Sequence, residues 1–195
     1  MQGLPEHIKE LVTNFEPQKK ELIQAKKSKT KYRRVKSCKK KILVADDMKF
    51  IVVAMESLLK NVFKISDLVT FCRDGQQVVD YVTSNLEEQR HENYQPYSLL
   101  ILDYNMPYLD GMEVVQNLKK LDWKKYNQEV PYVVFQTSNQ DPDFRDECVK
   151  QGVNCFIEKP VSEERLAAVL IEQGFIKRAS DKDSKKEKTP VGKTK

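Results

Sequence analysis

The sequence predicts an α/β fold in which five parallel strands form one doubly wound sheet. Five short apolar runs alternate with five segments whose apolar residues recur at the spacing of one helical face. Parallel strands need long crossovers and near-continuous apolar sequence, and the intervening helical segments supply those crossovers. Because such crossovers are right-handed, the helices should cover both faces of the sheet.

The first two strand-helix units show this pattern clearly. KKILVADD, residues 40–47, is an apolar run with β-branched residues that ends in two acids, which predicts a buried strand. From Ile51 onward, apolar residues recur at i, i+3, i+4, i+7 and i+8, which predicts a helix. Residues 68–72 predict the second strand, and the helical face that follows it begins at Val78.

Three further units complete the predicted sheet. Residues 99–102 are apolar throughout and predict a fully buried strand, and the helical face after them begins at Met112. Residues 132–136 predict the fourth strand, and the helix after it ends at Gly152. Residues 155–157 predict a short fifth strand, which is followed by the last helical face.

Charge is unevenly distributed along the chain. Residues 1–41 carry 13 Lys/Arg against 4 Asp/Glu, and residues 178–195 carry 7 against 3. Residues 42–177 carry 14 Lys/Arg against 22 Asp/Glu, which is a net charge of −8. The sequence therefore has basic ends and an acidic middle.

These differences predict three parts of the chain. Residues 1–39 are predicted to be a basic arm with a short amphipathic helix within residues 4–15. Residues 40–176 are predicted to be the folded domain, and residues 177–195 a Lys-rich disordered tail. Solvated linkers are the simpler interpretation of the two ends. The more specific interpretation is non-specific electrostatic contact with an anionic partner, namely nucleic acid, an anionic membrane or an acidic protein.

Composition excludes several classes of protein. The sequence has no run of about 18 apolar residues and no apolar secretory stretch at its start, which predicts a cytoplasmic protein without an integral membrane segment and leaves a nuclear location open. The cysteines lack the spacing of a zinc site, so we expect reduced thiols. No DNA-reading module follows the predicted domain. The cysteines are Cys38, Cys72, Cys148 and Cys155.

Polar residues follow the predicted strands at their carboxyl ends. If the strands are parallel, these groups meet at one edge of the sheet, where α/β proteins bind ligands. No structural requirement gathers acids, hydroxyls and a lysine there. The groups are Asp46-Asp47 after the first strand, Asp103 after the third, Thr137-Ser138 after the fourth and Lys159-Pro160 after the fifth.

Three carboxylates in one cleft repel one another unless a cation lies among them. A hard divalent cation that takes oxygen ligands and keeps some water, such as Mg²⁺, fits this site, and we expect Asp47 and Asp103 to be direct ligands. An aspartate can also act as a nucleophile and form an acyl phosphate. A lysine and a hydroxyl opposite the metal would neutralise the oxygens of a transferring phosphoryl group.

The ordered set of motifs resembles the signature of the receiver domain of two-component response regulators. The resemblance covers about residues 40–175 and implies a flavodoxin-like (βα)5 receiver fold, either standing alone or as the C-terminal piece of a hybrid histidine kinase. The matching segments are DD at 46–47, DYNMPYLDG at 103–111, TS at 137–138 and FIEKP at 156–160.

The resemblance implies a phosphorelay role for the acidic residues. Asp103 would accept phosphate from a phosphohistidine on a histidine kinase or histidine phosphotransfer protein, with Mg²⁺ as the cofactor. Asp47 would bind Mg²⁺ directly and Asp46 mainly through water, and the backbone carbonyl of Asn105 would complete the protein ligands together with Asp103.

The resemblance also implies a switch. Lys159 would contact the acyl phosphate, Thr137 would move to hydrogen-bond it, and Phe156 would turn inward as the switch aromatic. The surface formed by the fourth helix, the fifth strand and the fifth helix would then change for a downstream protein. The protein would catalyse its own phosphoryl transfer and would not act as an enzyme on a separate substrate. Whether it also catalyses its own dephosphorylation is left open.

Other positions of the resemblance concern loop shape and phosphate lifetime. Pro107 and Gly111 would shape the loop after the phosphoacceptor, and Pro160 would follow a cis peptide bond. Ser138 stands where the family often has alanine, so it is equally small but polar. Asn139 lies at the position that tunes loss of phosphate in the family.

Taken singly, these residues have simpler interpretations. Asp46 could cap the first helix, and Thr137 and Ser138 could cap a later one. Phe156 could be an ordinary core residue, and Asp110 is better read as part of a turn that precedes a helix. Only the joint occurrence of the acids, the hydroxyl and the lysine favours the functional interpretation.

Two other functions compete with an active receiver. The first is a structural or adaptor module that keeps the receiver fold, ignores phosphate and is docked by its basic arms. The second is a phosphatase or other hydrolase of similar topology, which is disfavoured because such enzymes need a second acid two residues after the nucleophile, where this sequence has Asn105.

Overall fold

The structure of this protein is a computed structural model that describes residues 32–180. The amphipathic segment predicted within residues 4–15 lies outside the described residues, as do most of the two predicted basic ends. Within residues 32–180, no helix has the length and hydropathy that crossing a bilayer requires.

A five-stranded parallel sheet forms the centre of the domain and confirms the predicted α/β, doubly wound fold. The strands in chain order are β1 (Tyr32–Arg34), β2 (Lys41–Ala45), β3 (Val69–Cys72), β4 (Tyr97–Asp103), β5 (Tyr132–Thr137), β6 (Cys155–Glu158) and β7 (Ile176–Arg178). The central sheet has the order β3-β2-β4-β5-β6, so the direction of winding reverses between β2 and β4. A ligand site is expected at the carboxyl ends beside such a reversal.

Among the residues that the structure describes, five α-helices connect the strands. They are α1 (Lys49–Ser57), α2 (Gly75–Glu87), α3 (Gly111–Lys119), α4 (Pro142–Lys150) and α5 (Glu163–Glu172). A π-helical turn, Leu58–Val62, continues α1, and short 3-10 turns occur at Ser66–Leu68 and Glu88–Arg90.

The core has two layers, one on each face of the sheet. Successive side chains of a strand point to opposite faces, so Ile42 and Val44 of β2 pack with α1 and α5, whereas Leu43 and Ala45 pack with α2 and α3. All four of these β2 side chains are fully buried. The near-continuous apolar sequence of the strands follows from this burial on both faces.

The N-cap residues of two helices exclude the capping roles suggested for Asp46, Thr137 and Ser138. The N-cap residue of α1 is Met48, which makes no side-chain cap, so Asp46 does not cap this helix. The N-cap of α4 is Asp141, so neither Thr137 nor Ser138 caps it. The two hydroxyls and the acid are therefore not explained by helix capping.

An additional β-ribbon joins the two ends of the described region. β1 pairs antiparallel with β7, with Tyr32 opposite Arg178 and Arg34 opposite Ile176. Residues 32–34 of the predicted basic arm and residues 177–178 of the predicted tail thus form strands, together with Ile176 at the end of the predicted domain. Apolar packing stabilises this strand pair. The ring centroids of Tyr32 and Phe63 lie 5.1 Å apart, and Ile176 is buried in the same layer of the core.

Candidate functional site

Four neighbouring strands end in polar residues on the face that α1 and α5 cover. On this face the apolar residues of the strands alternate with period two, as in Ile42 and Val44 of β2. The next position in the same alternation is polar on each of the four strands. These positions are Asp46 after β2, Asp103 in β4, Gln136 in β5 and Lys159 after β6.

Lys159 joins two of the carboxylates. Its Nζ lies 2.8 Å from Oδ2 of Asp46 and 2.8 Å from Oδ2 of Asp103. The cluster is inside the protein, because the side chains of Asp46, Asp103 and Lys159 are only 0%, 9% and 17% exposed. Burying charges is costly unless they are paired, and this arrangement pairs them.

A third carboxylate completes an acidic cluster. Asp47 is exposed, and one carboxylate oxygen from each of Asp46, Asp47 and Asp103 lies within 4.8 Å of the others. Three carboxylates and the Lys159 ammonium leave two negative charges uncompensated. An all-oxygen set with two excess negative charges fits a hard divalent cation such as Mg²⁺.

Asp46 is held more tightly than Asp47. Its Oδ1 accepts a hydrogen bond of 2.9 Å from the backbone N–H of Met48. Its Oδ2 accepts one of 3.2 Å from Nε2 of Gln136, in addition to the contact with Lys159. Both oxygens of Asp46 therefore already have protein donors, whereas Asp47 faces solvent.

Burial and charge act in opposite directions on the two central groups. Burial raises the pKa of Asp103, and the nearby Asp46 charge raises it further, whereas Lys159 and the backbone N–H of Asn105 lower it; the net pKa is above that of an ordinary aspartate. Burial lowers the pKa of Lys159, but the hydrogen bonds and charges of Asp103 and Asp46 outweigh burial and raise it. Lys159 is thus a firmly charged partner.

Thr137 lies at the carboxyl end of β5 and is buried, whereas Ser138 is exposed. The Thr137 Oγ1 accepts a hydrogen bond of 3.1 Å from the backbone N–H of Asn139. The Thr137 carbonyl accepts one of 3.2 Å from the backbone N–H of Lys159. The hydroxyl and the lysine are therefore connected through adjacent strand ends.

Phe156 is half-buried and lies between the core and a surface arginine. Its ring centroid is 6.3 Å from that of Phe135, and the Arg145 guanidinium lies 5.3 Å from the Phe156 ring centroid. Arg145 Nη2 also donates a hydrogen bond of 3.3 Å to the carbonyl of Asn139. Arg145 thus contacts both the aromatic ring and the loop that carries the Thr137 hydrogen bond.

The loop after Asp103 is closely packed. The backbone N–H of Gly111 donates a 2.8 Å hydrogen bond to the carbonyl of Tyr104. A Cβ on Gly111 would lie 2.9 Å from the Asp103 carbonyl, so a larger residue would displace the aspartate. Asp110 is the N-cap of α3 in a capping box with Glu113, as its interpretation as a turn before a helix predicted.

Two prolines flank the cluster. The carbonyl of Pro107 accepts a hydrogen bond of 3.4 Å from the backbone N–H of Gly75, which joins the loop to the start of α2. The Lys159–Pro160 peptide bond is cis, as expected from the resemblance.

Sequence reasoning missed one residue of the site. Gln136 was assigned to the fourth strand without a role, yet its side chain reaches Asp46. A signal was available: in the β5 sequence YVVFQT, Gln136 occupies the same alternation as Val134, where an apolar residue is expected.

This chain is similar to known proteins in sequence and in fold. The model of the response regulator receiver domain family matches residues 42–171, which is most of the described domain. "Histidine protein kinase 1" of Candida albicans is 27% identical over 135 residues, which is 69% of this chain but 5% of the kinase's length. "Two-component response regulator ARR17" of Arabidopsis thaliana is 30% identical over 107 residues, covering 53% of this chain and 67% of that protein.

A solved structure shows the same fold. It is a co-crystal structure of the Saccharomyces cerevisiae histidine phosphotransfer signalling protein Ypd1 with the receiver domain of its downstream response regulator Ssk1. The match has a TM-score of 0.56 and 20% identity, and it covers 69% of this chain and 88% of the matched chain.

These findings define the class of the protein as a two-component signalling module with a doubly wound receiver fold. The chain belongs to the response regulator receiver domain family. The predicted resemblance is thereby confirmed.

Proposed function

We propose that this protein is a phosphorelay receiver that takes a phosphoryl group onto Asp103 in a Mg²⁺-dependent reaction. The observation that carries the proposal is the buried cluster in which Lys159 lies 2.8 Å from both Asp103 and Asp46. Such a cluster is costly to keep inside a protein, and it matches the charge requirement of phosphoryl transfer.

In the proposed reaction, a carboxylate oxygen of Asp103 attacks the phosphorus of a phosphohistidine on a partner. The P–N bond breaks, the imidazole nitrogen keeps the electron pair, and an acyl phosphate forms on Asp103. Mg²⁺ held by Asp47, Asp103 and the Asn105 carbonyl, with Asp46 acting through water, would neutralise charge on the phosphoryl oxygens.

Lys159 takes part in the same charge neutralisation. Its Nζ is already beside Asp103 and would turn from the carboxylate to a phosphoryl oxygen when that group arrives. Thr137 would supply a hydroxyl to the same oxygens, and this movement requires its Oγ1 to release the Asn139 N–H.

Release of the hydrogen bond between the Asn139 N–H and Thr137 would start the proposed switch. Arg145 contacts both the Asn139 carbonyl and the Phe156 ring, so a shift of the loop changes what holds the ring in its half-buried position. Phe156 would then turn inward and change the surface of α4, β6 and α5 for a downstream protein. Two packings of similar energy are needed for this response.

An apolar groove beside the acidic cluster supports a docking site for the phosphodonor. The groove has a volume of about 420 Å³ and extends from α1 to Lys159 and the residues after it. Met48, which precedes α1, and Phe50 in its first turn line this groove and are 44% and 66% exposed, so together they form an exposed apolar patch. We infer that an apolar helix face of a histidine phosphotransfer protein occupies this groove, which brings its phosphohistidine to Asp103.

The first experiment is intact-mass measurement after incubation with a small-molecule phosphodonor, with and without Mg²⁺, on the wild type and on Asp103→Asn. We expect a gain of one phosphate that needs Mg²⁺ and is lost in the variant. No gain in either protein would contradict the proposal and favour a receiver fold kept as an adaptor.

A second experiment tests the docking groove separately from the chemistry. Phe50→Ser should slow transfer from a phosphorylated histidine phosphotransfer protein at least about tenfold, because it removes an apolar anchor. The same variant should react normally with the small phosphodonor. The matched control is Val149→Ser, since Val149 is 55% exposed on α4, away from the groove. Equal slowing by both variants would contradict the docking proposal.

A further inference from the structure

Gln136 is a fully buried polar side chain in a strand that is otherwise apolar on the same face. It follows Val134 in the alternation of β5, and it pairs in register with Asp103 of β4. An apolar side chain would fill this position without the cost of burying an amide. The amide therefore needs an explanation that packing does not provide.

The Gln136 side chain reaches across β4 to β2. Its Nε2 donates to Oδ2 of Asp46 at 3.2 Å and to the carbonyl of Ala45 at 3.4 Å. Both partners are acceptors, so they fix which end of the amide carries the nitrogen. Among the residues that the structure describes, Gln136 Oε1 has no hydrogen-bond partner. One end of the amide is thus left unpaired while the other holds Asp46.

We propose that Gln136 is a positioning residue, whose amide N–H holds the Asp46 carboxylate in place for a bound cation. This inference rests on the proposed function. Lys159 and Gln136 share the same Asp46 oxygen, at 2.8 Å and 3.2 Å. When Lys159 turns to the phosphoryl group on Asp103, Gln136 is the side-chain donor that stays on that oxygen.

The consequence is a carboxylate that keeps its orientation in both states of the lysine. Asp46 would reach the cation through a water molecule that the cation binds. Residues behind the groups that surround a metal orient those groups, and their loss weakens metal binding. Gln136 lies behind Asp46 in this sense, since it binds the carboxylate from β5, two strands away in the same sheet, and is itself shielded from solvent.

The test is calorimetric titration with Mg²⁺ alone, without a phosphodonor. Gln136→Met keeps the length of the side chain and removes the donor, and we expect Mg²⁺ affinity to fall about tenfold. The control is Val134→Ala, which weakens packing in the same column of β5 without touching Asp46. Val134→Ala should be less stable, yet its Mg²⁺ affinity should stay within about twofold of the wild type. This control therefore separates a loss of stability from the loss of the Gln136 hydrogen bond.

A second variant keeps the test decisive if Gln136→Met does not fold. Gln136→Asn retains the amide but is one methylene shorter, so it should not reach Asp46 and should lose Mg²⁺ affinity similarly. Wild-type Mg²⁺ affinity in both variants would overturn the role of Gln136 and leave the proposed function intact. Absence of Mg²⁺ binding by the wild type would contradict both.

Discussion

Two ion-paired regions within residues 32–180 differ in burial much more than in distance. At the carboxyl edge of the sheet, Lys159 lies 2.8 Å from each of two carboxylates, and no side chain of the three is more than 17% exposed. Beside the ribbon of β1 and β7, Arg34 lies 2.6 Å from Asp67, but these side chains are 35% and 60% exposed.

The difference in burial indicates which charges require a functional explanation. An exposed ion pair forms at little cost and contributes about 0–1 kcal/mol to stability, so the pair of Arg34 and Asp67 requires no functional explanation. Buried charges lose their hydration, and each removal from water costs several kcal/mol that pairing only partly offsets. The cluster of Asp46, Asp103 and Lys159 is therefore expected to be kept for chemistry and not for stability.

The largest expected effect concerns the buried lysine. Lys159→Met should lower the free energy of unfolding by about 3 kcal/mol without Mg²⁺, because two buried carboxylates lose their counter-charge. Mg²⁺ should restore part of this loss by supplying a positive charge. Urea denaturation with and without Mg²⁺ measures both effects, and a loss below about 1 kcal/mol would remove the contrast with the exposed pair.

A second effect is the pH dependence that Asp103 confers. Burial raises its pKa above the ordinary value of 3.8, so the folded protein keeps this proton to a higher pH than the unfolded chain does. The resulting stability is fully present below the unfolded pKa and is lost as pH rises through the folded pKa. Asp103→Asn should remove this part of the decline.

Denaturation curves of the wild type and Asp103→Asn from below pH 4 to neutral pH test the sign. The variant should gain stability relative to the wild type as pH rises. Parallel curves over the whole range would show that the pKa of Asp103 is the same in the folded and unfolded states, which would contradict the prediction.

A smaller effect is expected at Arg145. Its exposure is intermediate between that of the buried cluster and that of the exposed pair. Arg145→Gln should cost about 1 kcal/mol, since it removes a cation over the Phe156 ring. It should also free the ring, which fluorine NMR of labelled phenylalanine would detect. Lys150→Gln, an exposed change on the same helix, is the control, and an unaltered Phe156 signal in Arg145→Gln would exclude the contact as a restraint.

The smallest effect is expected for the exposed pair. Arg34→Met should change the free energy of unfolding by less than about 1 kcal/mol, and the change should shrink further in high salt. Thermal unfolding at low and high ionic strength measures it. A loss as large as that of Lys159→Met would mean that burial does not distinguish the two regions.

Much of the fold and most of the site could be predicted because both depend on local sequence. Apolar runs between helical patterns predicted the parallel sheet, and the rule that parallel strands share a carboxyl edge brought Asp46, Asp103 and Lys159 together. The acids, the hydroxyl and the lysine are each conspicuous directly after an apolar run.

The remainder depends on contacts that no local pattern reports. The segments 32–34 and 176–178 are short and basic, and each forms a strand only because it pairs with the other. They are more than a hundred residues apart in sequence, so neither segment alone predicts the pairing. Gln136 looked like an ordinary strand residue because its importance depends on reaching Asp46, two strands away in the sheet.

Locating the phosphoryl group along the chain tests whether Asp103 is the phosphoacceptor. After transfer from a phosphorylated histidine phosphotransfer protein, borohydride reduction converts an aspartyl phosphate to homoserine, and peptide mass spectrometry identifies the altered residue. We predict homoserine at position 103 alone, and only when Mg²⁺ is present during transfer. Modification at Asp46 or Asp47, or none at position 103 in a protein that has gained phosphate, would contradict the assignment of Asp103 as the phosphoacceptor.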